Sequence, residues 1–336
     1  MKTYPLYLIC SFIATLYFTA CTNELPFDLA ANPPKLAMNA FINADSLHNY
    51  VFLNLTGKDQ KTHVKGATLE VRINGELTET LRPEEYMDQC RFCINSHFQP
   101  GDVIRLDAIT DNGEHHAWGE TTVPFPIAKI EKIDTCTVDI KSQYSSWKEL
   151  TFKITITDRK NEDNFYRLVV ESQTYQYFWL NLNNKEFWEL YLTSQRMICR
   201  EDVVLTDGNP SSSDDEDNGL FESVTNLYGV CDDTRFKNSS YTFKVSIPSP
   251  VTQGPWYTID EFTHRRKADV AVRLLSITES EYYYLKALNV WKSDTWDEVI
   301  NEPIKFPSNV HGGTGMVSAS SERGEILHVM DIIYDK

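Results

Sequence analysis

Short segments in which apolar and polar residues alternate constrain this chain more than any other feature, because a half-buried β-strand is what matches a period of two. Ala67–Ile73 (ATLEVRI) sets Ala67, Leu69, Val71 and Ile73 on one face and Thr68, Glu70 and Arg72 on the other. Leu150–Thr157 (LTFKITIT) does the same with Leu150, Phe152, Ile154 and Ile156 against Thr151, Lys153, Thr155 and Thr157. Asn74-Gly75 directly follows the first segment and predicts a hairpin, since both residues tolerate the positive φ of a tight turn. Pro100-Gly101-Asp102 and Asp111-Asn112-Gly113 predict turns on either side of a strand at Val103–Ile109, with another strand at His116–Val123. Lys35–Ile42 alternates in part, and Tyr50–Leu55, Phe165–Glu171, Tyr241–Ile247 and Val270–Ile277 also read as strands.

The expected fold is therefore mainly all-β. Residues 35–123 form an immunoglobulin-like or transthyretin-like β-sandwich. Pro124 and Pro126 mark a boundary, because each interrupts ladder bonding. Residues 127–336 form a larger β-rich domain with a helix over 278–292. A length of 336 residues suits two such domains. Thr278 and Glu281 have the spacing of a capping box, and Tyr284, Leu288 and Trp291, widened by Leu285, make an apolar stripe that packs across a sheet.

The first twenty residues read as an address. Lys2 precedes an uncharged run of fifteen residues, Leu6–Ala20, too short for an ordinary spanning helix and suited to a secretory signal. Phe18-Thr19-Ala20-Cys21 resembles a bacterial lipobox, which makes Cys21 the residue acylated with diacylglycerol and residues 21–34 a tether. Thr22 in place of Asp favours the outer membrane, on either its periplasmic or its outer face. With 32 basic against 48 acidic side chains, a net charge of −16, the chain is unsuited to gripping a nucleic-acid backbone.

An exported compartment permits disulfides. The spacing suggests Cys90–Cys93 and Cys199–Cys231, with Cys136 left over. Catalytic signatures for nucleotide binding, zinc hydrolysis or a nucleophile elbow are absent. Gly312-Gly313-Thr314-Gly315 reads as a tight turn, and His115-His116 point to opposite sides of a strand. No cofactor is expected. Glu201–Glu222 holds eight acidic residues and no Lys or Arg. It reads as a solvated surface loop, with Asp214, Asp215 and Asp217 as the calcium candidates. Tyr175–Tyr191 holds seven aromatics; Tyr175, Tyr177 and Trp179 share one strand face and are the candidate binding surface, with burial between layers as the alternative.

Glu281-Tyr282-Tyr283-Tyr284-Leu285-Lys286-Ala287-Leu288, then Glu302-Pro303-Ile304-Lys305-Phe306-Pro307-Ser308-Asn309-Val310-His311-Gly312-Gly313-Thr314-Gly315, resemble a family of Bacteroidota lipoproteins known as domain of unknown function 4249. The Pro33-Pro34-Lys35-Leu36 lead-in to the first strand fits as well, while Thr314 and Met316-Val317 depart from the apolar and aromatic residues common there. The resemblance implies an accessory role beside TonB-dependent outer-membrane transporters and supplies no catalytic residue. The leading expectation is a non-enzymatic lipoprotein held by its acyl anchor, with a transporter or other envelope protein as partner. The alternatives are a hydrolase acting on glycan or peptide, and a purely structural envelope protein.

Overall fold

The computed structural model describes residues 33–57, 64, 66–86, 89–127, 129–141, 146–180, 185–210, 225–251, 266–293 and 304–329. The first half contributes β1 (Leu36–Asn43), β2 (Asn49–Leu55), β3 (Ala67–Ile73), β4 (Glu76–Leu81), β5 (Glu84–Tyr86), β6 (Gln89–Ile94), β7 (Val103–Thr110) and β8 (His116–Thr122). Next come β9 (Ile130–Lys141), β10 (Ser146–Thr157), β11 (Phe165–Leu180), β12 (Lys185–Ser194), β13 (Val230–Asp232) and β14 (Ser240–Pro248). β15 (Arg266–Ile277), helix α1 (Glu279–Trp291), β16 (Val310–His311) and β17 (Thr314–Val329) complete the described elements. The fold is thus mainly β with one helix among the described residues.

A nine-stranded sheet in the order β12-β11-β15-β17-β1-β2-β6-β5, with β13 also paired to β11, draws strands from both ends of the chain. β17 makes this possible. It runs parallel to β1, from Ala37↔Thr314 to Asn43↔Ser320, and antiparallel to β15. Two smaller sheets, β16-β8-β7-β3-β4 and β14-β10-β9, cover its inner face. Over β1, β2 and β6 the core interleaves Met38, Ile42, Leu53 and Phe92 with Leu69, Val71, Ile104 and Leu106, and it takes Val310, Val317 and Ala319 from the far end of the chain. Over β11 and β15 a second core joins Tyr166, Leu168, Val270 and Val272 to Phe152, Ile154, Phe243 and Val245. Both are face-to-face β-sandwich packings, in which alternate residues point inward from each layer. Val123 belongs to the first core and Ile127 to the second, so the Pro124–Pro126 segment is where the chain passes between them.

Local chemistry explains the turns. Asn74 and Gly75 have φ of 53° and 88°, the doubly left-handed geometry of a two-residue hairpin. In the glycine-rich turn, a Cβ on Gly313 would meet the Leu36 carbonyl oxygen and one on Gly315 the Met38 carbonyl oxygen. Glycine lets the turn press onto β1 at the start of the parallel pairing. The Asn309 side chain completes this corner, its Nδ2 donating to the Val317 carbonyl at 2.6 Å and its Oδ1 accepting from the Val317 N–H at 2.9 Å.

Helix α1 forms where expected, with the Thr278 hydroxyl accepting from the Glu281 N–H at 3.3 Å. Its buried face differs from the expected stripe. Glu281, Tyr282, Leu285 and Asn289 are buried, whereas Trp291 is 47% exposed. Two polar residues displaced the stripe. Asn289 Oδ1 accepts from the Leu227 N–H at 2.9 Å and its Nδ2 donates to Asn226 Oδ1 at 3.0 Å, which fastens the helix to the 225–229 loop.

Candidate functional site

The outer face of the large sheet carries the site. α1 packs on part of it through Tyr282 and Leu285, against Val169, Leu275 and Ile277. On β1 and β2, beside the helix, the outer face stays open. Phe41 stands out of phase with the inward series Leu36, Met38, Ala40 and Ile42, and Tyr50 is likewise out of phase with Val51 and Leu53. Each ring is 39% exposed. Asn39 pairs across the ladder with Phe52, and Phe41 and Tyr50 lie next along the same two strands.

These residues line an open cavity of about 410 Å³ together with Asn43 and His48. A second cavity of about 470 Å³ shares His48 and Tyr50 and adds Arg82, Glu84, Cys93 and Asn95, so the two form a continuous trough. The turn at its end is held by side-chain hydrogen bonds. Asn49 Oδ1 accepts from the Asn43 N–H at 2.8 Å, and Asn49 Nδ2 donates to the Asn43 carbonyl at 3.1 Å. Asn43 Nδ2 donates in turn to Glu322 at 3.0 Å. On the far side, the Arg91 guanidinium sits 4.7 Å above the Tyr50 ring and pairs with Glu84 at 2.8 Å.

His48 and Cys93 have the residue types of a base and a nucleophile, with Nδ1 and Sγ 3.9 Å apart. The electrostatics oppose that chemistry. Burial and then Glu84 push the Cys93 thiol above its ordinary range, which keeps it protonated at neutral pH. Among the described residues no group of three or more His, Cys, Asp or Glu side chains is placed to hold a metal.

Aromatic rings continue from the trough over α1. The Phe41 and Tyr284 centroids are 5.8 Å apart, Tyr284 and Phe306 5.7 Å, and Phe306 and Trp291 6.5 Å. Beneath the first turn of the helix lies a buried polar cluster. Glu281 is 3% exposed, and burial lifts its carboxyl from 4.5 to about 7 against the opposing pull of the Ser318 hydroxyl and the Arg167 guanidinium. Neither Ser318 Oγ nor Arg167 Nε has a hydrogen-bond partner at standard geometry.

The residues singled out from sequence fall elsewhere. Tyr177 is 7% exposed, its ring edge-on to Trp188 at 5.3 Å, while half-buried Tyr175 donates its hydroxyl to Gln173 at 3.1 Å. Trp179 continues β11 opposite Glu186. Cys21 and the calcium candidates Asp214, Asp215 and Asp217 lie outside the described residues. The acidic stretch opens on a structural carboxylate: Asp202 accepts from the N–H groups of Val204 and Leu205 at 2.9 Å and from Lys244 at 2.8 Å.

The expected disulfides are replaced by free thiols at Cys90, Cys93, Cys136, Cys199 and Cys231. Cys90 and Cys93 sit three positions apart on one extended strand, so their side chains leave opposite faces, with α-carbons about 10 Å apart, beyond disulfide reach. Cys199 instead donates to the Asn226 carbonyl at 3.7 Å, and Cys231 is buried at 2% exposure. His116 approaches Asp107 at 3.3 Å, while His311 stacks on Trp118 at 4.1 Å. Sequence reasoning missed Phe41, His48 and Tyr50; the available signal was an aromatic residue on the polar phase of each strand.

Residues 22–325 match the family described as Domain of unknown function (DUF4249). No curated protein matches the chain. Among solved structures, the α-L-rhamnosidase of Aspergillus terreus is similar at 11% identity and a TM-score of 0.30, over 74% of this chain and 27% of that one. The β-glucuronidase of Parabacteroides merdae gives 8% and 0.21, over 71% of this chain and 23% of that one. The GH family 64 laminaripentaose-producing β-1,3-glucanase of Paenibacillus barengoltzii gives 10% and 0.21, over 70% of this chain and 46% of that one. The chain spans less than half the length of each, and likeness at this level carries no activity across.

Proposed function

The chain belongs to the family Domain of unknown function (DUF4249), and from that premise we propose a non-enzymatic envelope lipoprotein that binds a ligand or partner as an accessory of a TonB-dependent outer-membrane transporter. The observation that carries the binding role is the trough, an open concavity with two part-exposed rings set in a hydrogen-bonded sheet face. Binding sites commonly combine such apolar surface with a few fixed polar groups on a rigid scaffold. The lipobox-like Phe18-Thr19-Ala20-Cys21 supports attachment through Cys21. No helix of the described residues is long and apolar enough to cross a membrane. The family resemblance supports the transporter partnership. We further assign the packing around β1–β8 to the immunoglobulin-like or transthyretin-like class of sandwich.

The test is co-purification of the full-length lipoprotein from detergent-solubilised envelopes. A TonB-dependent transporter should accompany the wild type, and a Cys21→Ala variant should lose both the lipid label and the membrane fraction. A correctly folded wild type that brings down no transporter overturns the accessory role.

A further inference from the structure

We propose that the trough binds a neutral oligosaccharide, a proposal that rests on the trough being the binding site. Charge is the first ground. No Asp, Glu, Lys or Arg side chain lines the first cavity, whose wall is Asn39, Phe41, Asn43, Ser46, His48, Asn49, Tyr50 and Phe52, in a protein whose net charge is −16. The charged groups of the adjoining cavity are already paired, Arg82 with Asp111 and Glu84 with Arg91, so an ionic ligand would have to displace a partner, whereas a polyhydroxylated neutral one need not.

Shape and hydrogen bonding agree. Phe41 and Tyr50 each present part of a ring to solvent, and the C–H face of a sugar packs on such rings while its hydroxyls remain free for amides. Asn39 provides a set donor: its Oδ1 accepts from the Met316 N–H at 3.2 Å, which fixes the amide and leaves Nδ2 without a hydrogen-bond partner among the described residues. The rings of Tyr284 and Phe306 extend the surface away from Phe41 in steps of 5.8 and 5.7 Å, long enough for more than one sugar unit.

The sheet itself disfavours an extended peptide. Among the described residues β1 and β2 are each paired on both sides, so beside Phe41 and Tyr50 no backbone edge is open for a peptide strand to join, and β6 is paired on its far side at Gln89–Arg91. A peptide would forgo the main-chain bonds that give strand addition its affinity. Stacking and side-chain amides, which the face does offer, suit a saccharide.

The experiment presents the full-length lipoprotein, in a detergent without a sugar headgroup, to an array of neutral α- and β-linked oligosaccharides. Binding to at least one glycan is expected, weakened at least tenfold by Phe41→Ala combined with Tyr50→Ala. The separate variant Asn39→Asp, which keeps the acceptor and removes the donor, should also weaken it tenfold. Val138→Ala, at an exposed position on β9 in the separate β14-β10-β9 sheet, should leave it unchanged, and matching thermal unfolding certifies each fold. No binding across the array, or binding that survives both trough changes, overturns the proposal. Peptides from an envelope digest, retained by the wild type and lost by the double variant while no glycan binds, would overturn the saccharide class and leave the trough as the binding site. If neither glycan nor peptide depends on these residues, both readings fall.

Discussion

Glu281→Gln tests the account of the helix–sheet junction. Glu281 has the sequence position of a capping partner, yet its carboxyl is turned under α1 and is only 3% exposed. Burial raises its pKa from 4.5 to about 7. At about 1.4 kcal/mol for each tenfold change in proton affinity, the folded state prefers the protonated acid by about 3 kcal/mol. The sign follows from where the proton is held more tightly. The folded chain keeps it and the unfolded chain loses it between about pH 4.5 and 7, so this contribution is present in full at low pH and fades as pH rises through that window. Glutamine is neutral and of the same shape, and should abolish the dependence. Urea unfolding followed by tryptophan fluorescence, on wild type and variant in parallel from pH 5 to 8, reads the difference directly. Other titrating groups are common to both chains and cancel. The variant should gain on the wild type as pH rises, by a total of about 2–3 kcal/mol. A difference that stays constant from pH 5 to 8 would refute the assignment of a buried, proton-holding Glu281.

Three further outcomes follow from the packing. Phe152→Ala empties a site of 0% exposure in the second core and should cost about 3–5 kcal/mol in the same unfolding assay. Gly315→Ala places a Cβ against the Met38 carbonyl at a φ of 112°, so it should destabilise by more than about 1 kcal/mol and raise amide exchange along the β1–β17 pairing. In the folded protein a maleimide should label exposed Cys136 first, and buried Cys199 and Cys231 only after denaturation, with the Cys199 thiol pushed up to about 11; mass mapping of the labelled peptides decides this.

Strands with clean alternation were legible. Ala67–Ile73 has its expected boundaries, and Leu150–Thr157 lies within β10. β9 was invisible because it is a polar edge strand with most of its residues exposed on both faces. β17 was hidden for the opposite reason: Ser318, Ser320 and Ser321 are buried, and small polar residues do not announce an interior face. Its partners also lie far away in sequence, which no local pattern reports. The helix was placed by its cap, but its buried face was misread because a stripe drawn from apolar residues alone leaves out Glu281 and Asn289. The trough escaped for a related reason. Phe41 and Tyr50 look like ordinary apolar members of β-strands until the phase of their neighbours is fixed. The disulfide expectation failed at Cys90–Cys93 because pairing by spacing ignores the pleat, which sends positions three apart to opposite faces.

The parallel joining of β1 to β17 also sets an order of events. Ala37 must wait for Thr314 before the ladder between them begins. A chain released N-terminal side first presents β1 well before the strand that permanently neighbours it, β17. Until β17 arrives, β1 can have β2 on one side and an open ladder on the other, with the Phe41 ring beside that open edge. Folding of the binding face is therefore a late step, and slow by the general rule for contacts between distant segments. A chain truncated before Thr314 would keep the residues that line the trough but leave β1 with an unpaired edge that invites aggregation.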